Sequence, residues 1–240
     1  KLFHAALRAA SIAQKPVAGG GFIRHLPFAL SSMTEGRSLP AIAAEPFRDQ
    51  FAAIEQPASP ETAIFYSGCL IDFVYPETGA SVVKVLNSAG VRVAFPMDQT
   101  CCGAPARYGG SPEAAADAAR ANIKALSAQP AEYIVSACPT CTAALKIDFP
   151  ELMAKFGTPE DQQQARTIAD KTHDFSTLVQ RLASEGRIKF REDMPAPGAT
   201  SYHDSCHLKR TLGVVDEPRR LLASAGYEIR EMAEADTCCG

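Results

Sequence analysis

The cysteine spacing of this chain occurs twice, and this repeat constrains the fold more than any other feature of the sequence. A single cysteine is followed, after a long interval, by an adjacent cysteine pair and a glycine, and the whole pattern returns later in the chain with the same spacing. The matching positions are Cys69 and Cys206, Cys101 and Cys238, Cys102 and Cys239, and Gly103 and Gly240. The tripeptide Ser-Ala-Gly at residues 88–90 also recurs, at residues 224–226. An internal duplication is the simplest explanation, so we expect two related structural units.

The length and composition are those of a globular protein that needs no covalent cross-links to fold. With 240 residues, of which 46% are hydrophobic and 21% charged, the chain can bury roughly 70% of its unfolded surface. The formal net charge of -3 argues against a general attraction to nucleic acid. No apolar run approaches the ~20 residues of a membrane-spanning helix, and the N-terminal segment has no continuous signal-like core. We therefore expect a cytoplasmic setting in which thiols stay reduced.

The segment 1–60 differs in pattern from the rest of the chain. It combines small apolar residues with several prolines and a glycine run at residues 19–21. This composition predicts a linker with one or two short helices, the first of them over residues 1–14, where the apolar residues have helical spacing.

From residue 62 onward, short apolar runs alternate with amphipathic segments. Residues 63–67, 91–95 and 133–136 predict buried strands, and residues 76–89 and 111–127 predict the helices that connect them. A β-α-β-α-β-α order of this kind predicts a parallel sheet with right-handed crossovers.

The pattern then starts again in the second part of the chain. Residues 157–187 predict a polar helical segment, and residues 187–190 and 200–203 predict two further strands. The predicted fold class is therefore α/β, with two pseudo-symmetric Rossmann-like halves, each with a parallel sheet. We place the halves at residues 61–157 and 158–240, after the helical linker of residues 1–60.

The cysteines of the first half all follow directly after predicted strands, or open the helix that comes next. Since the carboxyl ends of parallel strands share one edge of a sheet, we expect the five thiols to meet there. Cys138 and Cys141 open a helix, where a thiolate is stabilised. Gly103 and Pro105 supply the tight turn that an adjacent cysteine pair needs if both side chains are to face one centre.

Several kinds of site are compatible with such a set of thiols. Disulfides are disfavoured by the expected reducing compartment. Structural zinc takes four ligands, so five thiols leave one over. A cubane iron–sulfur cluster also takes four cysteines, in compact runs more often than in this spread. Five thiolates suit a larger or irregular cluster.

The motif resembles that of a known family. The resemblance rests on Cys69, Cys101, Cys102, Gly103, Pro105, Cys138 and Cys141. Their pattern is similar to the CCG cysteine-rich domain found in one subunit of heterodisulfide reductase, which also occurs in iron–sulfur subunits of anaerobic glycerol-3-phosphate dehydrogenase, glycolate oxidase and lactate-utilisation complexes. The segments 202–207, 212–214 and 217–219 are most similar to the lactate-utilisation branch. The resemblance covers residues 62–240.

The resemblance implies a cofactor and its ligands. In the cysteine-rich subunit of heterodisulfide reductase, a complete CCG motif holds a non-cubane 4Fe–4S cluster with five cysteines, which match the five of the first half here. Cys206, Cys238 and Cys239 match the first three of a second set, whose closing pair would lie beyond Gly240. The first site is therefore the better candidate for an iron–sulfur cluster, and the second half is expected to be truncated. His203 and His207, on either side of Cys206, are candidates for a nitrogen ligand or for a hydrogen bond to a cluster sulfur. The alternative is that they make only local backbone contacts at the end of a strand.

The resemblance also implies a role in a larger redox assembly. It predicts an electron-transfer subunit that serves the oxidation of a 2-hydroxy acid, lactate in particular, in the cytoplasm or at the inner membrane face. Expected partners are a ferredoxin-like module preceding the linker, which is not part of this chain, and a flavin or hydroxy-acid dehydrogenase. Two alternatives stay open, a heterodisulfide reductase type of catalytic subunit and a zinc-stabilised interaction module without redox function.

Overall fold

The computed structural model describes residues 2–190 and 198–237 of the chain. These residues form two compact units, one from residues 1–54 and 69–81 and the other from residues 55–68 and 82–240. Within the described ranges, no helix combines the length and the apolar character needed to cross a membrane.

The first unit contains most of the predicted linker. Its helices are α1 (Leu2–Ala13), a 3-10 turn (Phe28–Met33), α2 (Phe47–Gln50), a second 3-10 turn (Phe51–Ala53), α3 (Gly68–Phe73, from Cys69 onward) and the first half of α4 (Pro76–Ser88). A small antiparallel sheet is formed by β1 (Ala18–Gly19), β2 (Phe22–Ile23) and β3 (Leu39–Pro40). The helix predicted over residues 1–14 is confirmed. The sheet was not predicted, because such short strands leave no periodic pattern.

A buried ion pair joins α2 to α3 in this unit. The Asp72 carboxylate accepts hydrogen bonds from the backbone nitrogen of Arg48 at 3.0 Å and from its guanidinium Nε at 2.7 Å and Nη2 at 2.5 Å. The guanidinium also lies over the ring of Phe73, 5.2 Å from its centroid. Because both side chains are almost completely buried, the pair is stable only while these contacts replace the lost hydration.

The second unit is built around a four-stranded parallel sheet. Its strands are β4 (Thr62–Phe65), β5 (Arg92–Ala94), β6 (Tyr133–Ser136) and β7 (Thr172–Asp174), in the order β5-β4-β6-β7. The helices of this part are the end of α4, α5 (Ala104–Tyr108), α6 (Pro112–Ser127), α7 (Pro139–Ala143), a π turn (Ala144–Asp148), α8 (Phe149–Phe156), α9 (Pro159–Lys171) and α10 (Phe175–Ser184).

The remaining described residues carry a smaller parallel pair. It consists of β8 (Ala199–Thr200) and β9 (Glu228–Ile229), with a π turn (His207–Thr211) and α11 (Asp216–Ser224) between them. The α/β fold class is confirmed. The division into halves at residue 157 stays a prediction, and β7 from beyond that residue pairs with β6 of the first sheet.

Several predicted elements match the structure and a few do not. The strands at 63–67, 91–95 and 133–136 and the helices at 76–89 and 111–127 are present within a few residues of their predicted ends. The strand predicted at 187–190 is wrong, because this segment has no regular structure. The segment predicted at 200–203 contributes only Thr200 to β8. The strand β7 was missed because it is very short and follows a polar helical stretch.

The order of the strands determines where a site can form. The chain runs from β4 to β5 on one side and then crosses back to β6 on the other side of β4. In such a sheet, a crevice opens outside the carboxyl ends of the two strands between which the direction of winding reverses. Ser67 and Gly68 follow β4 at this edge, and Cys138 follows β6.

Candidate metal centre

Four thiols of the second unit lie together at the carboxyl edge of the sheet. The Cys102 side chain is hydrogen-bonded to those of Cys101 and Cys141, and Cys141 is also hydrogen-bonded to Cys138. Cys102 and Cys141 are buried, whereas the other two are partly exposed. The loop after β5 and the start of α7 therefore deliver two sulfur atoms each to one place.

The loop that carries the adjacent pair is held by buried amides. Asn122 of α6 is completely buried and accepts a hydrogen bond from the Thr100 nitrogen at 2.8 Å while it donates to the Cys101 carbonyl at 2.9 Å. Gln99 accepts from the Ser67 nitrogen at 3.0 Å and donates to the Phe65 carbonyl at 3.1 Å. These contacts fix the loop against both the end of β4 and helix α6.

Another contact between β4 and this loop comes from a tyrosine. The buried Tyr66 hydroxyl donates to the Thr100 carbonyl at 2.6 Å. Thr100 directly precedes Cys101, so the end of β4 sets the position of the backbone from which the cysteine pair begins.

The turn after the pair has the geometry that the sequence predicted. Gly103 has a φ of +83° and is the N-cap of α5, with Pro105 in the first turn of that helix. A Cβ atom at Gly103 would lie 3.2 Å from backbone atoms of Ala115. Gly103 and Pro105 thus act through the backbone, by turning the chain so that Cys102 faces inward against α6.

Backbone amides and neighbouring thiols shift the acidity of the sulfur atoms in opposite directions. The pKa of Cys138 is lowered to about 7, chiefly by a hydrogen bond from the Cys141 thiol and also by the Cys141 and Thr140 amides. The pKa of Cys102 is raised to about 12, chiefly by its hydrogen bond with Cys101. The pKa of Cys141 is also raised, since this thiol donates to Cys102 and Cys138. A thiolate at Cys138 is thus stabilised by protons that its neighbours retain.

The family of this chain follows from comparison of its sequence with known proteins. A family model for the CCG cysteine-rich domain matches residues 63–146 and 200–240, which include all the cysteines of the chain. The chain belongs to this family.

Curated relatives of this CCG protein include several lactate utilization proteins. It is 38% identical over 175 residues to lactate utilization protein A of Geobacillus kaustophilus, covering 72% of this chain and 69% of that protein. It is 35% identical over 173 residues to lactate utilization protein A 2 of Bacillus cereus and to lactate utilization protein A 1 of Bacillus anthracis. Each of these two matches covers 72% of this chain and 68% of the relative.

The fifth predicted ligand of the first set, Cys69, does not belong to the unit that holds the other four cysteines. Cys69 lies in the first turn of α3, is partly exposed and belongs to the first unit, so its role as a ligand stays a prediction. Gly68, which precedes it, has a φ of +64°, and a Cβ there would lie 2.6 Å from the Cys141 sulfur. Only a glycine fits beside this thiol.

The second set is represented by one described cysteine. Cys206 is exposed and directly precedes the π turn that begins at His207. Cys238 and Cys239 lie outside the described residues. His207 contacts the Tyr108 hydroxyl at 3.2 Å and the Thr140 hydroxyl at 3.5 Å, so this imidazole packs against the rim of the first set.

The clustered thiols of this CCG protein fit a multi-iron cluster better than a single metal ion. In the described ranges, no group of three or more His, Cys, Asp or Glu side chains is arranged to hold one metal ion. A multi-iron cluster does not need its thiolates to converge on one point, because they are distributed over several iron atoms. Four clustered thiols with backbone amides directed at Cys102 and Cys138 supply the soft ligands and sulfur hydrogen bonds that such a cluster uses.

Sequence reasoning missed the side chains that hold the cysteine loop. Asn122 lies in the middle of an alanine-rich helix, and its neighbours in sequence give no sign of its role. Tyr66 and Gln99 were also missed, although each lies two or three residues before a cysteine. The repeat could have revealed both residues, because the equivalent positions of the second set also carry polar side chains, His203 for Tyr66 and Asp236 for Gln99.

Proposed function

We propose that this chain is the iron–sulfur electron-transfer component of a system that oxidises lactate. The observation that carries the proposal is the group of four hydrogen-bonded thiols, Cys101, Cys102, Cys138 and Cys141, at the carboxyl edge of a parallel sheet. Membership of the CCG family and similarity to lactate utilization protein A support it.

The residues that would hold the cluster are those four cysteines together with Cys69. The cluster itself, of the 4Fe–4S type, would take up and release electrons one at a time. The protein supplies buried thiolates and backbone hydrogen bonds, from the Ala104 amide to Cys102 and from the Thr140 and Cys141 amides to Cys138. Hydrogen bonds to cluster sulfur stabilise the more negative state, so these amides favour the reduced form.

The same proposal covers the second cysteine set and the partners. Cys206, Cys238 and Cys239 would form a second set in the half at residues 158–240, and His207, beside Cys206, would donate a hydrogen bond or a nitrogen ligand to a cluster. Electrons would arrive from a flavin or hydroxy-acid dehydrogenase and pass through a ferredoxin-like module. The net charge of -3 gives no support to a nucleic-acid partner.

Metal analysis of the protein purified without oxygen tests this proposal. We expect iron and acid-labile sulfide in similar amounts, and an electron paramagnetic resonance signal that appears on one-electron reduction or oxidation. Zinc without iron would overturn the redox function and favour a structural module. A disulfide substrate that changes the signal on binding would instead favour a heterodisulfide reductase type of subunit.

A single substitution tests the ligand set. Cys102→Ser should abolish or change the signal of the first cluster, because a buried thiolate is replaced by a weak oxygen ligand. Ala104→Ser is the matched control, since it also places a hydroxyl in a buried position close to the pair without removing a thiol. An unchanged spectrum in Cys102→Ser would remove that residue from the ligand set.

A further inference from the structure

The imidazole of His207 is directed at the first cysteine set, although this residue directly follows Cys206. Its Nε2 lies 3.2 Å from the Tyr108 hydroxyl, and the centroids of the two rings are 5.9 Å apart. Its Nδ1 lies 3.5 Å from the Thr140 hydroxyl and 3.6 Å from the Cys206 sulfur. Tyr108 ends α5, which follows the adjacent cysteine pair, and Thr140 lies in α7 beside Cys141. The imidazole therefore contacts both segments that supply thiols to the first set.

The other histidine beside Cys206 has a different environment. His203 Nε2 lies 2.8 Å from the Thr237 carbonyl, which is a contact with the backbone. Of the two histidines, it is His207 that reaches the first set.

The segment that presents His207 is firmly packed. Leu208, the next residue, is 5% exposed, and the π turn to which both belong packs on α7. The Lys209 nitrogen donates to the Ser205 carbonyl at 2.9 Å, and the Val214 nitrogen donates to the Leu208 carbonyl at 3.0 Å. The position of the imidazole is therefore set by a short hydrogen-bonded segment that is anchored by a buried leucine.

Tyr108, by contrast, is largely surrounded by solvent. The residue is 60% exposed, so its ring gains little from burial. Helix α5 is already held by the preceding residue, because the Arg107 guanidinium contacts Asp148 at 3.2 Å and Glu151 at 2.6 Å. The hydroxyl of Tyr108 is thus available to fix His207.

We propose that Tyr108 is a positioning residue of the first cysteine set, which holds His207, and with it the segment 206–211, against α7. Held in this way, the segment limits the access of solvent and oxygen to Cys138, which directly precedes α7 and is partly exposed. Solvent access is one of the properties by which a protein tunes a metal centre. This inference rests on the proposed function in treating Cys138 as a cluster ligand, but the contacts that carry it do not depend on a metal.

The chemistry of the contact predicts how substitutions behave. A tyrosine hydroxyl can donate a hydrogen bond to an imidazole nitrogen or accept one from it, whereas phenylalanine can do neither. Tyr108→Phe and His207→Phe should each loosen the segment. The double variant should be no looser than His207→Phe, because the same contact is already lost there. Since Tyr108 is exposed, Tyr108→Phe should unfold at the urea concentration of the wild type.

Tyr75→Phe is the matched control for the loss of a hydroxyl. Tyr75 is also exposed, at 42%, but it lies in the first unit. Its substitution should leave the cysteine set unchanged. Cys102 is the internal reference, because this thiol is buried in the same unit as Cys138 and would become reactive if the whole unit loosened.

The experiment has one readout without metal and one with it. In the full, metal-free, reduced chain, alkylation of each cysteine is followed by tandem mass spectrometry of its peptide. Tyr108→Phe should raise the rate at Cys138 about fivefold relative to that at Cys102, as expected for the loss of one hydrogen bond. In protein loaded with iron without oxygen, the same variant should lose the paramagnetic resonance signal of the first cluster about fivefold faster on exposure to air.

The outcomes distinguish this inference from the proposed function. Absence of iron from the wild type would overturn the proposed function, while selective alkylation of Cys138 in Tyr108→Phe would still support the positioning role. The positioning role is wrong if Tyr108→Phe leaves the rate at Cys138 unchanged, or raises the rate at Cys102 by the same factor. It is also wrong if Tyr75→Phe has the same effect, or if the effects of Tyr108→Phe and His207→Phe add up in the double variant.

Discussion

Gly68 shows how one residue without a side chain can decide whether a thiol is available. A Cβ atom at this position would lie 2.6 Å from the Cys141 sulfur, closer than atoms can approach without displacement. We expect Gly68→Ala to displace the Cys141 side chain, so that protein loaded with iron retains less of it and the first cluster signal broadens or disappears. Iron content and the paramagnetic resonance spectrum check this prediction.

Gly90 provides the matched control for that change. Its φ of +74° is as unfavourable for alanine as that of Gly68, but no atom lies within 4 Å of the position of an added Cβ. Both substitutions should cost about 1 kcal/mol in the free energy of unfolding because of the backbone conformation. Only Gly68→Ala should reduce the iron content, and equal losses in both variants would mean that the contact with Cys141 is unimportant.

At the residue scale, the cysteines could be predicted from the sequence, but the side chains that position them could not. Cysteines are few and their repeat is visible, so all candidate ligands could be named in advance. The role of Asn122 depends on a loop 21 residues away, which only the folded chain brings to α6. Gly103 was predictable because an adjacent cysteine pair needs a turn, whereas the contact of Gly68 with Cys141 was not, because it joins two separate strand ends.

At the scale of elements, helices α2 and α3 are held together by the buried ion pair of Arg48 and Asp72. Asp72→Asn removes the charge that balances a buried guanidinium, which typically costs about 3–5 kcal/mol. We expect a large decrease in the urea concentration at which the first unit unfolds.

The same unit contains an exposed ion pair for comparison. Arg8 and Asp49 lie 2.6 Å apart, with side chains that are 49% and 32% exposed. Asp49→Asn should cost less than about 1 kcal/mol, because water already screens this pair. Equal midpoints for Asp72→Asn and Asp49→Asn would show that the buried pair contributes no more than the exposed one.

Elements with strong periodicity were predictable, and short ones were not. The strand over 133–136 and the helix over 111–127 were found because they have several apolar residues in a regular pattern. Strand β7 is much shorter than the helices around it and gains its position by pairing with β6. The segment 187–190 alternates like a strand, but Arg187 is instead held by its contacts with Glu61 and the Ala89 carbonyl.

At the scale of the whole molecule, the parallel sheet and the repeated cysteine pattern could be predicted because both follow from order along the chain. The extent of each unit could not, since it depends on which segments pack together. The predicted boundary near residue 60 separates a linker from a sheet, whereas the segment 69–81 packs with the segment 1–54. Contacts between distant segments decided this, and they leave no local signal in the sequence.

Arg187 makes such a long-range contact within the second unit, and it predicts how stability depends on pH. Its guanidinium donates to both carboxylate oxygens of Glu61, at 3.2 Å and 2.6 Å, and also to the Ala89 carbonyl. The pKa of Glu61 is lowered, chiefly by the hydrogen bond from Arg187 and also by that from Tyr133. The ionised form is therefore bound more tightly in the folded than in the unfolded chain.

A carboxyl group whose pKa is lowered in the folded state stabilises that state at pH values above its ordinary pKa of 4.5. This contribution is lost as the pH falls through the lowered pKa of the folded state. Glu61→Gln keeps the shape and removes the titration. At neutral pH it should lower the free energy of unfolding by about 1 kcal/mol, a modest amount because both side chains are partly exposed. The difference from the wild type should vanish in acid, where Glu61 is protonated as well. Urea denaturation of both proteins across this pH range measures the difference, and two curves that stay parallel would show that the link between Arg187 and Glu61 does not depend on charge.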